Sequence, residues 1–471
     1  MGRRTVVVIG GGCAGVLAAR EVLRSGDDNV VLSEPGELGG GIAYGAAQPW
    51  HLLNSRAGAM SADPDDPDHF VGWARRRGLD ADPDAFLGRR EYGRYLRDAL
   101  DAAVAAHPGR LAVRRAPVRS LYPGSTGVAV CLADGAIVFA DHVVLAVGGP
   151  AGTRPPGLPV RLAAHPAYVS DPWRRGALAA IPRGAPVLLI GTGLTAVDVA
   201  LTLTADGGDR PLVAVSRRGQ LPLNHTAHAT PPAVPALAGC RTLRDVVRAV
   251  RACAGQAGEW RAVVDGVRPH LDRLWSALTP GEQDAFLRHL ARPWECHRHR
   301  MPPPVAERIA ALRAAGALEI RAGGLDGLAP APGGALDASL IATPAELMPT
   351  PARAAPAPGG GIMAGADVRV RRFAAVVNCA GPGRLPAAAG PLVGALLRAG
   401  FARVGPHGLG LDVDAAGRVV ARDGTVHPRL WLLGPLRRGA QWETTAVPEI
   451  RAQARALARD LAVAAALPEA A

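Results

Sequence analysis

The stretch that decides the fold is Thr5–Gly15, TVVVIGGGCAG. Val6, Val7, Val8 and Ile9 form a β-branched apolar run too short for a helix, as expected of a strand buried in a parallel sheet. Gly10, Gly12 and Gly15 follow it in G-x-G-x-x-G spacing, and VLAAREVLRSG then predicts a helix that stops at Gly26. The first glycine makes the tight turn, the second lets a pyrophosphate approach the backbone, and the third lets helix pack on strand. The helix N-terminus presents free N–H groups to the phosphate. Asn29–Ser33 (NVVLS) reads as the next strand, and Glu34 stands nineteen residues after Gly15, where an acid takes ribose hydroxyls. Strand, loop, helix, strand and acid together predict a bound dinucleotide held by Gly10, Gly12, Gly15 and Glu34.

Composition sets the outer limits. The chain has 471 residues, enough for two or three domains, and 48% of them are apolar. It carries a formal charge of +12 without a single lysine, so all 53 basic residues are arginine. That excludes lysine Schiff-base chemistry and a Walker A phosphate loop. The arginines are scattered rather than blocked, which argues for a basic surface and against a nucleic-acid partner. Six cysteines (13, 131, 240, 253, 296 and 379) form no C-x-x-C pair and no metal-type spacing. A reduced, cytoplasmic protein is expected, and thiol–disulfide exchange is not. Arg3-Arg4 is followed directly by the nucleotide-binding strand and is not read as a leader. No apolar run approaches membrane-crossing length, so no membrane partner is expected.

Beyond Glu34 lies a long glycine-rich excursion, Pro35–Ser61 (PGELGGGIAYGAAQPWHLLNSRAGAMS). Ordered loops of this length in a compact domain are usually functional. Gly39, Gly40 and Gly41 permit close approach to a ligand, while His51, Asn54 and Ser61 supply hydrogen-bonding groups. Two amphipathic helices and a β segment near Val113–Phe139 lead to a second buried strand, Val143–Val147, ended by Gly148-Gly149-Pro150. A second nucleotide motif follows. Ala185–Ile190 is a strand, Gly191-Thr192-Gly193-Leu194-Thr195-Ala196 is G-x-G-x-x-A, and a helix continues from it. Where the first unit closes with Glu34, this one closes with Ser216, Arg217 and Arg218. An acid repels a 2′-phosphate, whereas arginines bind one through charge-assisted forks. The first site therefore reads as FAD-type and the second as NADP-type.

From Gln220 the chain is first turn-rich, then TLRDVVRAVRACAG, EWRAVVDGVRPHLDRLWSAL and GEQDAFLRHLARPW read as three helices, so that residues of about 231–300 form an inserted helical subdomain. Glu295, Cys296, His297 and His299 invite a metal reading, since H-x-H on a strand puts both rings on one face. The interleaved Arg298 and Arg300 and the lack of a third ligand argue against it, and a polar wall for an anionic group is the better expectation. Ala329–Ala366 reads as linker-like. Phe373–Gly383 (FAAVVNCAGPG) repeats the pattern at Val143, a strand with glycines at its end, and is expected to mark the return to the first domain. Leu430–Leu433 predicts a strand followed by Gly434. A last helix then follows, with Thr444 or Thr445 as its cap, Pro448 in its first turn and Glu449 at its positive end. Its N-terminus would stabilise charge gathering on a reduced flavin ring.

The segments GIAYG, HLLN, GTGLTAVD, SRRGQLPLNH, HRHRMPPP and LGPLRRGAQWETTAVPEIR, in this order, resemble those of FAD/NAD(P)-binding oxidoreductases with two dinucleotide domains. That group is similar to flavin-dependent, N-hydroxylating monooxygenases. The resemblance implies an α/β fold of two Rossmann-like domains, the second inserted in the first. An FAD domain of about 1–150 and 365–471 would enclose an NAD(P) domain of about 151–364 that contains the helical insert. It implies FAD and NADPH as cofactors, with molecular oxygen and a small molecule as substrates, such as an amine or amino acid nitrogen in secondary metabolism. Asn54 and His51 become the candidate groups beside the flavin, and Gly40, Gly41, Gly191, Gly193, Arg217, Arg218, Gly434, Thr444 and Thr445 join the cofactor contacts. A dehydrogenase with another acceptor, or a non-catalytic nucleotide-binding protein, stays open. One departure is visible: many flavoproteins of this superfold place Gly-Asp after the last strand to hold the ribityl chain, and here Gly434-Pro435 stands there.

Overall fold

The computed structural model describes residues 3–205, 207, 210–342 and 368–466. The chain divides into two compact units, Met1–Ala151 with Thr226–Trp294 and Pro382–Ala471, and Gly152–His225 with Glu295–Gly381.

The first unit is built on a six-stranded sheet of order β15-β16-β7-β1-β2-β3. Its strands are β1 (Thr5–Ile9), β2 (Asn29–Ser33), β3 (Leu111–Arg114), β7 (His142–Leu145), β15 (Arg418–Val420) and β16 (Val426–Leu432). All pairings are parallel except the edge pair β15–β16. Side chains of a strand alternate between faces, and β1 uses both. Val6 and Val8 enter a core shared with helices α1 (Cys13–Ser25), α2 (His69–Arg76), α3 (Arg89–Ala106) and α12 (Val447–Ala466). Val7 and Ile9 enter a second core under a three-stranded antiparallel sheet and α11 (Pro391–Ala399). The small sheet consists of β4 (Val118–Pro123), β5 (Val128–Leu132) and β6 (Ile137–Ala140). Burial on both faces explains why Val6–Ile9 of β1 is uninterrupted valine and isoleucine.

The second unit carries a seven-stranded sheet of order β13-β12-β11-β10-β9-β14-β8. Strands β8 (Tyr168–Val169), β14 (Ala375–Asn378), β9 (Val187–Ile190), β10 (Leu212–Ser216) and the start of β11 (Leu318–Pro330) run parallel. The far end of β11 turns back through β12 (Leu336–Ala342) and β13 (Val368–Phe373) as antiparallel neighbours. Helices α4 (Leu194–Thr204) and α10 (Pro303–Ala314) belong to this unit.

Three expectations are corrected here. The strand in Phe373–Gly383, β14, does not join the first sheet but lies beside β9 in the second, and the chain re-enters the first unit only at the end of this stretch, from Pro382. The repeated pattern is real, but it marks the same position in a second copy of the architecture. A Cβ on Gly10 would land on the carbonyl oxygen of Ala146, just after β7, and one on Gly191 on that of Cys379, just after β14. The helical segment α5 (Leu243–Ala257), α6 (Trp260–Val267), α7 (Leu271–Ala277) and α8 (Pro280–His289) packs within the first unit, not within the NAD(P) domain. Bidentate contacts of Arg268 with Glu449 at 2.7 and 2.6 Å, and a bond from Trp275 Nε1 to the Gly439 carbonyl at 2.7 Å, fasten it there. Finally, β12 occupies part of the stretch taken for a linker, where alternating Leu336, Ala338 and Leu340 are buried. The end of β11 lies in the same stretch, while residues 343–366 and the expected boundary at 364/365 lie outside the described residues. No described helix is long and apolar enough to cross a membrane.

Candidate cofactor-binding site

In the first unit the loop after β1 is fixed from three sides. Gly10 holds φ at 102°, and its N–H donates to the Ser33 carbonyl at 2.9 Å. A Cβ on Gly15 would fall inside the carbonyl of Gly10, so only glycine lets α1 approach the strand this closely. No side chain caps α1, which leaves its first-turn N–H groups facing outward as an anion site. Glu34 closes the loop. Its carboxylate accepts the N–H of Gly11 and of Gly36, both at 2.7 Å. Each carboxylate oxygen keeps further acceptor capacity, so ribose hydroxyls can still be received at this half-buried position.

The glycine-rich excursion folds onto this loop. Gly39 N–H donates to the Gly11 carbonyl at 2.8 Å, and residues Gly41–Gly45 form a single π-helical turn preceded by Gly40. Such turns recur at functional sites. A Cβ on Gly41 would stand 3.1 Å from Cα of Gly12, so the two glycine loops abut. A Cβ on Gly12 itself would make only an ordinary 3.5 Å contact with Gly41. The protein alone does not demand glycine there, and a ligand would. Cys13 is hydrogen-bonded to Tyr44, and burial pushes its thiol up to about 12, so it is no nucleophile.

His51 and Asn54 are held one loop further on. His51 is buried, and its Nδ1 accepts the Gln48 N–H at 3.1 Å. The chain around it is tied to residues 87–89, Leu53 N–H to the Leu87 carbonyl and Arg89 N–H to that of His51. Asn54 is half-buried. The structure thus joins Gly10, Gly15, Glu34 and the Gly12–Gly41 pair into one constellation, and holds His51 in the loop that follows it.

Gly434 follows β16 and approaches the start of α1, a Cβ there lying 3.3 Å from Cβ of Ala14. Its N–H donates to Gln453 Oε1 of α12 at 3.1 Å. Neither threonine caps α12. The helix begins at Val447, and the Ala446 carbonyl receives the Ile450 N–H. Thr445 is exposed, while Thr444 is fully buried with a hydroxyl that has no partner. Pro448 and Glu449 do fall in the first turn, but Glu449 is engaged by Arg268. An orphaned buried hydroxyl, an uncapped helix start and a glycine cradle are what a bound dinucleotide would satisfy. The residues present fit FAD.

The second unit repeats the turn with different closing chemistry. Gly191 holds φ at 118°, and its N–H bonds the Val215 carbonyl at 2.8 Å. Gly193 precedes α4, which no side chain caps. Here the strand end is closed by hydroxyls, with Thr192 Oγ1 and Ser216 Oγ 2.8 Å apart and Thr192 donating to the Gln220 carbonyl at 2.6 Å. Arg217 and Arg218 sit in the turn Ser216–Gly219, the first exposed and the second half-buried. Ser216, Arg217 and Arg218 stand where the first unit carries Glu34, and hydroxyl and guanidinium donors fit a 2′-phosphate. The metal reading loses its geometric basis, because Cys296 and His297 lie on helix α9 (Ala291–Arg298) and His299 directly follows it, not on a strand. Residues two apart on a helix do not share a face. The segment packs against the one after Arg218, with Met301 N–H bonding the Leu223 carbonyl at 2.7 Å.

Comparison with known proteins gives the class first. Residues 7–150 match a family model described as FAD-NAD(P)-binding, and the fold is that of flavoproteins with two dinucleotide-binding domains. No curated protein sequence matches the chain. Among solved structures it is similar to an ornithine N-hydroxylase of Kutzneria sp. 744, solved with reduced FAD, NADP+ and L-ornithine. The two are 15% identical over 98% of this chain and 100% of that one, with a TM-score of 0.66. A cadaverine monooxygenase of desferrioxamine biosynthesis from Erwinia amylovora, bound to FAD, is 14% identical over 98% of this chain and 95% of that one, at 0.65. An L-lysine 6-monooxygenase from Pseudomonas syringae is 15% identical over 98% and 100%, at 0.61.

Proposed function

We propose that this chain is an FAD- and NADPH-dependent monooxygenase that hydroxylates the nitrogen of a small amine or amino acid in the cytoplasm. One observation carries the reading. Two glycine loops of the same construction are closed by opposite chemistries, Glu34 in the first unit and Ser216-Arg217-Arg218 in the second. The surrounding fold is similar along its whole length to N-hydroxylating enzymes.

In this reading Gly10, Gly12 and Gly15 admit the FAD pyrophosphate to the N-terminus of α1, Glu34 receives the ribose hydroxyls, and Gly40 and Gly41 wall the loop. Gly434, Thr444 and Thr445 border the cofactor on the side of α12. Gly191 and Gly193 hold the NADPH pyrophosphate, and Arg217 and Arg218 take its 2′-phosphate. FAD, once bound, supplies two-electron storage and oxygen activation. The protein's task is to exclude water and present hydrogen bonds rather than a strong acid, which suits Asn54 and the buried His51. A reductase working through a disulfide is disfavoured by the lack of any C-x-x-C pair and by burial that holds Cys13 and Cys379 as thiols.

The test is oxygen uptake and product analysis with FAD-loaded protein, NADPH and a panel of ornithine, lysine and cadaverine. Hydroxylamine product in step with NADPH and oxygen consumption supports the reading. NADPH oxidation that continues without oxygen through another acceptor replaces it with a dehydrogenase.

A further inference from the structure

Arg437 ends the short turn Pro435–Arg437 that follows β16 and Gly434. It is 5% exposed, and its Nε is sealed from solvent with nothing to bond. Among the described residues its guanidinium makes no hydrogen bond or ion pair. It lies against the turn at Gly417, where a Cβ would stand 2.8 Å from Arg437 Cζ. The nearest carboxylates are engaged elsewhere. Asp272 Oδ1 accepts the N–H groups of Trp442 and Glu443 at 3.1 and 3.3 Å, and Asp414 accepts the N–H and Nε of Arg418 at 2.7 and 2.8 Å. They act on Arg437 only through space.

Burial as such does not leave arginine unpaired in this unit. Arg20, equally buried, pairs with Glu21 and Asp63 at 2.7 and 2.5 Å. Arg110 donates to the carbonyls of Leu23 and Asp28. An arginine remains charged in a protein, and an uncompensated buried charge is strongly destabilising. The second orphan, the Thr444 hydroxyl, is at the other end of the same loop. The loop folds back on itself through Gln441 N–H to the Arg437 carbonyl at 3.1 Å, and Asp272 and Trp275 clamp it from α7. Two unsatisfied donors therefore stand at the two ends of one short, tied-down segment.

We propose that Arg437 is a ligand-recognition residue that takes an anionic oxygen at the end of the site remote from Glu34. Strand order gives the direction. Glu34 follows β2, the glycine loop follows β1, then come β7 and β16 with Gly434 and Arg437 after it. A ligand laid across these strand ends with its ribose at Glu34 brings its opposite end to the 434–444 loop. The oxygen has two sources of one chemistry: the pyrimidine edge of the flavin, which gains negative charge on reduction, or the carboxylate of a bound substrate. The first source rests on the FAD reading above, whereas the unpaired cation does not.

Arg437→Met and Arg437→Lys separate the outcomes. Three quantities are read: thermal stability of FAD-free protein, FAD affinity by fluorescence titration, and the thermal shift given to FAD-free and FAD-loaded protein by L-lysine against cadaverine. Arg437→Met is expected to be at least as stable as the parent without FAD, because an unpaired charge has been removed. A flavin role weakens FAD binding about 10- to 100-fold, with partial recovery in Arg437→Lys. A substrate role leaves FAD affinity unchanged and abolishes the preference for lysine over its decarboxylated amine. An Arg437→Met protein whose FAD affinity and lysine preference both equal the parent's overturns the proposal, whatever its stability. Failure of the parent to bind FAD defeats the reading of the glycine loop and leaves the lysine arm in FAD-free protein to decide the role of Arg437.

Discussion

The two glycine loops share a backbone and differ in what closes them. After β1 the third small residue is Gly15, against whose position the Gly10 carbonyl sits so closely that no side chain fits. After β9 the corresponding residue is Ala196, buried at 3% exposure without difficulty. After β2 the closing group is a carboxylate bonded to the loop's own N–H groups, and after β10 it is a pair of hydroxyls followed by two arginines. In the proposed reading the turn supplies the anion site in both cases, and the residues after the second strand decide which nucleotide is accepted, because a carboxylate repels the 2′-phosphate that arginine attracts.

The largest expected effect tests how tightly the first loop is built. Gly15→Ala places a methyl group inside a backbone carbonyl, where no flexible side chain can yield, and is expected to cost at least about 3 kcal/mol or prevent folding. Gly12→Val is its counterpart. The space beside Gly12 is ordinary in the protein itself, so this variant should fold and lack FAD. Denaturation midpoints with flavin content distinguish the two, and a Gly12→Val protein with full FAD content would remove the first loop from the site.

Most of this architecture was legible in the sequence, and the exceptions have physical causes. Apolar run, glycine spacing and closing residue identified both loops because each element there answers to a local rule. The strand of Phe373–Gly383 reads as part of the first domain because β7 and β14 do the same job beside Gly10 and Gly191, and strand patterns do not say which sheet they join. The threonines before α12 satisfied a capping rule, yet Thr444 points into the interior without a partner. Arg437 could not be singled out among 53 arginines, since burial without a partner is a tertiary property. The helical segment read correctly as helices, but its unit is fixed by Arg268–Glu449 and Trp275, contacts too distant in sequence to anticipate.

The second expected effect sharpens the contrast in charge. Replacing Arg217 and Arg218 together by alanine should cost about 1.5–3 kcal/mol of NADP+ binding, roughly a ten- to hundred-fold loss, with NAD+ binding little changed. Titration of both nucleotides checks it, and an unchanged ratio would contradict the assignment of the second loop. A third effect separates the two sheets by pH. His142 begins β7, is 6% exposed, and burial lowers its pKa to about 4. Unfolded, it takes a proton near its ordinary 6.5. The unfolded chain therefore binds the proton first, and stability present above about pH 6.5 is lost as pH falls toward 4. Acidification from pH 7 to pH 5 should weaken the first unit by about 2 kcal/mol on this account, an effect that His142→Phe removes. Hydrogen exchange at both pH values reads it strand by strand, and equal loss in β9 and β10 would contradict a local origin. The smallest effect is Ala196→Gly, expected to cost about 0.5–1 kcal/mol through helix propensity alone and to leave nucleotide binding intact.

The central claim is that one chain holds FAD at its first loop and NADPH at its second. Anaerobic rapid mixing of FAD-loaded protein with NADPH or NADH tests it most directly, read as bleaching of oxidised flavin. The account predicts bleaching by NADPH at least about ten-fold faster than by NADH, with the advantage lost in the Arg217, Arg218 double variant. A flavin that neither nucleotide reduces, or that both reduce equally, would contradict it.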